Sequence, residues 1–313
     1  MDSVLLAIDT ETNGVAWYDE AFMISIATWE GSHVYDKRIC EHGEWHSHVQ
    51  HVYDMLVNCD SIIMHNAKFD IQKLCRLGIP LSAFIDKFED TQAMAHLIDE
   101  HQSTGLKFLA RKYLGETTDE DEVLKVYRRK AKLKKEDGYE PIPHDILAPY
   151  ALKDAEFTLA LYNKLSSLMP DDLTPLYKLE KQMTIALLGV EARGMQVDRE
   201  YVVAKRKEYG DKIYQTKAKI AELSGPDFNP QSPTQVLAAL EERGIRIDKT
   251  DKATLASVDD ELASLIVELR EANKIKTTYF DAMYEESKRG ILHPNFRQHG
   301  TRTGRMSSGA AEA

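Results

Sequence analysis

VLLAIDTETNG, residues 4–14, is the stretch on which the reading of this chain turns. The mostly apolar run from Val4 to Ile8 reads as a buried strand, and it runs straight into Asp9 and Glu11. Side chains of a strand alternate between its faces, so Asp9 and Glu11, two residues apart, point to the same side. Two unpaired carboxylates side by side repel each other and resist burial. Either the strand ends in solvent here, or a divalent cation joins the two acids. Asn13-Gly14 then signals a turn.

Further along, FMISIATW (22–29) and SHVYDKRI (32–39) read as two more strands, separated by Gly31-Ser32. Residues 47–58 look helical, SIIMHN (61–66) reads as a short buried strand, and KFDIQKLCRLG (68–78) as a helix ending at Gly78. DTQAMAHLID and TGLKFLARKYLG read as two further helices. A strand meander followed by strands alternating with helices predicts an α/β fold, a mixed sheet covered by helices. Residues 116–145 are acidic, then basic, then punctuated by proline, and read as an exposed insertion. Helix returns with LAPYALKDAEFTLALYNKLSSLM, and PDDLTP, 170–175, reads as a linker.

With 313 residues the chain can hold two domains. Its 43% hydrophobic and 29% charged content is ordinary for a soluble protein, and no apolar run approaches the roughly 20 residues that cross a membrane. MDSVLL has no basic start of the secretory kind. Cys40, Cys59 and Cys75 form no CxxC pair, which fits a reducing cytoplasm. A net charge of −11 argues mildly against a general nucleic-acid binder, but an enzyme that gathers acids around metal ions is compatible with it.

Two other segments carry acids in apolar surroundings. HNAKFD places Asn66 and Asp70 four apart, with Asp70 in the first turns of a helix. PYALKD places Tyr150 and Asp154 four apart, on one helical face. In order, DTET, HNAKFD and YALKD resemble the three motifs of the DEDD 3′–5′ exonucleases, in their tyrosine subclass. The histidine subclass carries a His five residues before the last acid, where this chain has Pro149. The resemblance spans about residues 3–168. It implies a ribonuclease H-like mixed sheet with flanking helices and places Asp9, Glu11, Asp70 and Asp154 on the four metal-binding acids and Tyr150 on the subclass tyrosine. All-oxygen acidic sites suit Mg²⁺ or Mn²⁺ rather than zinc. Two such ions about 3.5–4 Å apart activate a water and stabilise the leaving oxygen of a phosphodiester. On this reading Asp9 bridges both ions, Tyr150 orients or helps deprotonate the water, and Asn66 holds the terminal nucleotide. Phe69 either stacks on a base or packs the core.

Two side candidates remain open. CEHGEWHSHVQH gathers Cys40, His42, His46, His48 and His51, as a zinc site or as solvated surface. KVYRRKAKLKK, 125–135, is a solvated helix face or a basic arm for a single strand.

Residues 172–308 have a different texture. Leu176, Leu179, Met183, Leu187 and Val190 fall on one face of a helix that Gly194 can cap. A long charged helix, 199–223, follows, then a helix with Ser232 as N-cap and Pro233 at its first position. A second long helix spans roughly 260–289, and its Leu262, Leu265, Leu269, Tyr279 and Met283 can face the earlier one as an antiparallel pair. LEKQMTIALLGVEARGMQVD, FNPQSPTQVLAALEERGI, KIKTTYFDAM and HPNFRQHGTRTGRMSS resemble, in order, the part of family A DNA polymerases that follows their exonuclease domain: a mostly α-helical thumb and the start of the palm. The resemblance implies domains at 1–170 (exonuclease), 171–290 (thumb) and 291–313 (start of the palm), with Gln298, Thr303 and Arg305 near a primer duplex. Arg302 and Arg305 are candidate DNA contacts or exposed charges of a hairpin turn.

The palm acids and fingers expected after TGRMSS do not follow before the sequence stops at GAAEA, and no 5′-nuclease precedes residue 1. Half of a split polymerase or a truncated product is expected on this ground, with the layout of bacteriophage polymerases. Three functions are in play. The first is a proofreading-type 3′–5′ exonuclease on single-stranded 3′ ends of DNA. The second is a DNA-binding and assembly subunit for a separate palm–fingers chain. The third is an exoribonuclease resembling RNase D, against which the thumb-like half speaks.

Overall fold

A computed structural model of the chain describes residues 3–116, 119–134 and 137–309. It divides into two compact units: the chain through Arg193 together with the chain from Pro294 on, and Gly194–His293.

The first unit is built on strands β1 (Leu5–Thr12), β2 (Ala21–Thr28), β3 (Gly31–Asp36), β4 (Ser61–Met64) and β5 (Phe88–Asp90). Helices α1 (Glu44–Asn58), α2 (Ala67–Arg76), α3 (Thr91–Ile98), α4 (Leu106–Leu109), α5 (Asp119–Lys130), α6 (His144–Leu168) and α7 (Thr174–Arg193) cover it. The sheet runs β3-β2-β1-β4-β5, antiparallel among the first three and parallel from β1 through β5. This is the mixed sheet predicted from the sequence. The strand β5, three residues long, has no signal of its own beside the helix it precedes.

Alternation along β1 sorts the side chains. Leu6 and Ile8 join the core under α1 and α2, with Leu188 of α7. Ala7 faces Ala155 and Leu159 of α6. Asp9 and Glu11 continue the odd-numbered series and therefore point to the α6 side. Small residues on both partners, Ala7 and Ala27 against Ala155, let α6 approach the sheet closely.

Several boundaries differ from the sequence reading. The segment 116–145 is not an exposed insertion: Leu124 and Ile142 are buried against Phe22, Met23 and Leu147. Residues 117–118 and 135–136 of it lie outside the described residues. The buried side of α7 is Tyr177, Thr184, Leu187, Leu188 and Glu191, leaving Leu176, Leu179 and Val190 exposed. Polar side chains win those positions because they find partners. The Tyr177 hydroxyl donates to Glu89 (2.7 Å) and accepts from the Asp90 N–H (2.8 Å), and Lys181 pairs with Glu89 (2.8 Å). These bonds tie α7 to the sheet within the first unit, which runs through Arg193.

The second unit holds β6 (Met195–Gln196), α8 (Arg199–Ser224), α9 (Pro233–Glu242), α10 (Lys252–Ala256), α11 (Glu261–Ile275), α12 (Ala282–Ser287) and β7 (Ile291–Leu292). It is mostly helical, as expected. Asp198, Ser232, Asp251 and Asp260 each cap the helix that follows them. Leu262, Leu265 and Leu269 pack with Ile220, Val236, Leu240 and Leu255. Tyr279, expected beside them, is exposed, because the widened turn Lys276–Asp281 rotates it out of the stripe.

Strands β8 (Asn295–Arg297) and β9 (Ser307–Gly309) form a hairpin in the first unit. Gln298 donates to the Glu180 carbonyl (2.9 Å) and accepts from the Thr184 hydroxyl (2.8 Å) of α7. The last residues, 310–313, lie outside the described residues. Among the described residues no helix is long and apolar enough to cross a membrane.

Candidate active site

The site forms where β1, α2 and α6 meet. Antiparallel pairing sets Asp9 opposite Ser25 and Glu11 opposite Met23, and the register slips between Glu11 and Thr12. That bulge ends the regular ladder at the acids. Glu11, Asp70 and Asp154 are buried, while Asp9 is partly open. Thr10, on the opposite face of β1, reaches α2: its N–H and hydroxyl both donate to Asp70 Oδ1 (3.1 and 2.7 Å).

Burial dominates the electrostatics. It pushes the Asp9 carboxyl up to about 7. Glu11 and Asp70 rise well above the ordinary carboxylate range, through burial first and repulsion from Asp9 second. The Tyr150 hydroxyl is pushed up by burial and then by Tyr139, Glu11 and Asp9. It stays protonated at neutral pH. Tyr139 stacks on it with ring centres 6.1 Å apart and planes 27° apart. The 116–145 segment thus delivers an aromatic ring to the site.

Lys107 of α4 sits in the same pocket, ion-paired with Asp154. Its ammonium lies 4.2 Å from the Tyr150 ring centre and 5.7 Å from that of Phe157. Burial brings it down to about 8 against the pull of nearby acids, Asp121 first, then Asp9 and Glu11.

Asn66 begins α2 in a left-handed backbone conformation, φ 66° and ψ 54°, uncommon for a residue with a side chain. Asp90 holds it there, accepting from the N–H groups of Asn66 (3.1 Å) and Ala67 (2.9 Å). Phe69 is part-buried, with the Lys73 ammonium 5.2 Å from its ring centre. Arg302 and Arg305 are exposed on the β8–β9 turn. Arg302 lines a cleft of about 250 Å³ with His96, Glu100 and His299, not the pocket of the acids. In the Cys40–His51 segment, Cys40 Sγ lies 3.4 Å from His48 Nδ1. Among the described residues no group of three or more His, Cys, Asp or Glu side chains stands ready to hold a metal ion. For the four acids the reason is visible: Asp70 is turned onto Thr10 and Asp154 onto Lys107.

Behind the site, His65 Nδ1 meets the Thr91 hydroxyl (2.8 Å), which itself lies 3.1 Å from the Met64 carbonyl it donates to. Burial holds His65 down at about 4, against opposing pulls from Asp90 and the Thr104 backbone. The unfolded chain, with its ordinary value near 6.5, binds this proton first. The stability His65 contributes is therefore expected to be lost as pH falls from 6.5 toward 4. Urea denaturation of the parent and of His65→Asn should converge toward pH 4; parallel pH profiles would contradict this.

Thr10, Asp90, Lys107 and Tyr139 were not singled out from the sequence. The one usable signal was Lys107, a lone cation between Leu106 and Phe108 in an otherwise apolar turn.

Residues 2–170 match the family model of 3′-5′ exonucleases, and residues 199–311 match that of DNA polymerase family A. Over 96% of its length the chain is 31% identical to the DNA polymerase DpoZ of Vibrio phage phiVC8, and covers 53% of that protein. Over 97% it is 27% identical to the DNA polymerase I of Borreliella burgdorferi, and covers 34% of it. The chain thus spans about half, or less, of the length of these relatives. Its fold resembles the POL domain of Pol1 from M. smegmatis, solved with DNA primer-template and dNTP, with a TM-score of 0.71 at 20% identity over 98% of this chain and 51% of that one. The chain belongs to the 3′–5′ exonuclease family of the family A DNA polymerases, with an exonuclease domain at its N-terminal end and a family A polymerase segment after it.

Proposed function

We propose that the first unit is a proofreading-type exodeoxyribonuclease that hydrolyses DNA from the 3′ end with two divalent cations, Mg²⁺ or Mn²⁺. The observation that carries the reading is the gathering of Asp9, Glu11 and Asp70, the last two buried and Asp9 partly open, with carboxyls pushed above their ordinary range. Such a group cannot ionise fully without added positive charge. The donor set fits hard cations, being all carboxylate oxygen. Asp9, Glu11, Asp70 and Asp154 would hold them, the last two after turning from Thr10 and Lys107. When bound, the ions supply an acidified water and stabilise the leaving oxygen.

The chain's own residues do the rest. Tyr150, protonated and braced by Tyr139, donates its hydroxyl hydrogen bond to the attacking water or the scissile phosphate. Asn66 offers its amide to the terminal nucleotide from a backbone position fixed by Asp90. Acids buried between β1, α2 and α6 favour a single strand over a duplex, so single-stranded or frayed 3′ ends are the substrate. Phe69 stacks on a terminal base. Arg302 and Arg305, on the hairpin that resembles the start of the palm, contact primer-template DNA. That contact belongs to synthesis by a whole polymerase.

Matched DNA and RNA oligonucleotides, each 5′-labelled and given Mg²⁺, test the substrate. DNA is expected to shorten in single-nucleotide steps from the 3′ end, faster than RNA. A clear preference for RNA would replace this reading with an exoribonuclease resembling RNase D.

A further inference from the structure

The ammonium of Lys107 is lodged among the acids of the nuclease pocket, and nothing in the exonuclease motifs calls for a cation there. Its side chain is only 19% exposed and that of its partner Asp154 only 10%, so the pair is not a surface ion pair of negligible consequence. The rings of Tyr150 and Phe157 lie near the ammonium, 4.2 and 5.7 Å from it to their centres. A buried charge is tolerated only with an opposite charge beside it. Lys107 and Asp154 satisfy that need for each other.

We propose that Lys107 is the nuclease site's internal counter-ion: it holds Asp154 and partly neutralises the acid cluster in the metal-free protein, and divalent cations must displace it from Asp154 to bind. The inference rests on the metal-dependent reading above. An ammonium on one oxygen of Asp154 and a divalent cation on the same carboxylate would lie a few ångströms apart, and like charges at that distance in a poorly solvated pocket repel strongly. Metal affinity is thereby set below what the four acids alone would give. The metal-free pocket in turn is kept from the repulsion of unpaired carboxylates. Lys107 is thus a positioning residue acting through Asp154.

The test uses the full chain and Mn²⁺ alone, without DNA. Calorimetric titration of the parent, Lys107→Met and Lys107→Gln is expected to show both variants binding Mn²⁺ about tenfold more tightly than the parent, since neither carries the competing charge. Melting in EDTA is expected to place both variants below the parent, with the gap closing at saturating Mn²⁺. Lys107→Gln keeps a hydrogen bond to Asp154 and serves where the methionine variant fails to fold. Lys107→Arg, which keeps the charge, should titrate like the parent. Equal or weaker Mn²⁺ affinity in the neutral variants overturns the proposal while leaving the metal site standing. A parent that binds no Mn²⁺ overturns the metal reading and this inference with it.

Discussion

Asp9→Asn is expected to lower the single-turnover rate of 3′-end cleavage by at least about a thousandfold, a barrier increase of roughly 4 kcal/mol. The replacement keeps the shape of the side chain and removes a charge. Asp9 is the acid whose field raises both Glu11 and Asp70, so it sits between them electrostatically. Loss of its negative charge weakens the cation site more than loss of an acid at the edge. The fold should not suffer. In EDTA the variant is expected to melt no lower than the parent, because a repelling, desolvated carboxylate has been replaced by a neutral amide. A variant that is inactive and also strongly destabilised would mean that Asp9 is structural. One that is stable and still active would remove it from the site.

Lys73→Met is expected to destabilise the first unit by about 3 kcal/mol, lowering its melting temperature by roughly 6–12 °C. Lys73 is fully buried on α2, one turn beyond Asp70. Its ammonium donates to the carbonyls of Ala16 (2.7 Å) and Asp19 (2.9 Å). Gln72 and Arg76 donate to the neighbouring carbonyls of Trp17 and Tyr18 (3.2 Å each). Together they pin the loop that follows β1 to the helix that carries Asp70. Methionine has the length but no donor, and leaves two inward carbonyls without their partner. Thermal denaturation checks the effect; a shift below about 2 °C would show that water replaces the ammonium without cost.

The candidate site drew notice in the sequence because its residues violate ordinary patterning. Acids at positions 9, 11, 70 and 154 interrupt apolar segments, and a buried carboxylate demands an explanation that a buried leucine does not. Strand alternation put Asp9 and Glu11 on one face, and helical spacing put Tyr150 and Asp154 on another. What the sequence could not supply were residues that act from segments distant in the chain. Tyr139 lies in a stretch whose charge suggested solvent, yet Leu124 and Ile142 anchor that stretch against Phe22 and Met23. Lys107, a lone cation in an apolar turn, gains its partner only when α6 brings Asp154 to it. The stripe of α7 was misjudged because apolarity was the only guide. Tyr177, Thr184 and Glu191 are buried for their hydrogen bonds to Glu89, Gln298 and Phe296, partners far away in sequence.

The most direct test of the central claim is a single experiment on the purified chain: a 5′-labelled single-stranded DNA, first with excess EDTA and then with Mg²⁺ restored. Intact DNA is expected in EDTA and, after Mg²⁺, a ladder shortening one nucleotide at a time from the 3′ end. DNA left intact by the folded protein in Mg²⁺ and in Mn²⁺, internal cuts, or cleavage indifferent to EDTA would contradict it.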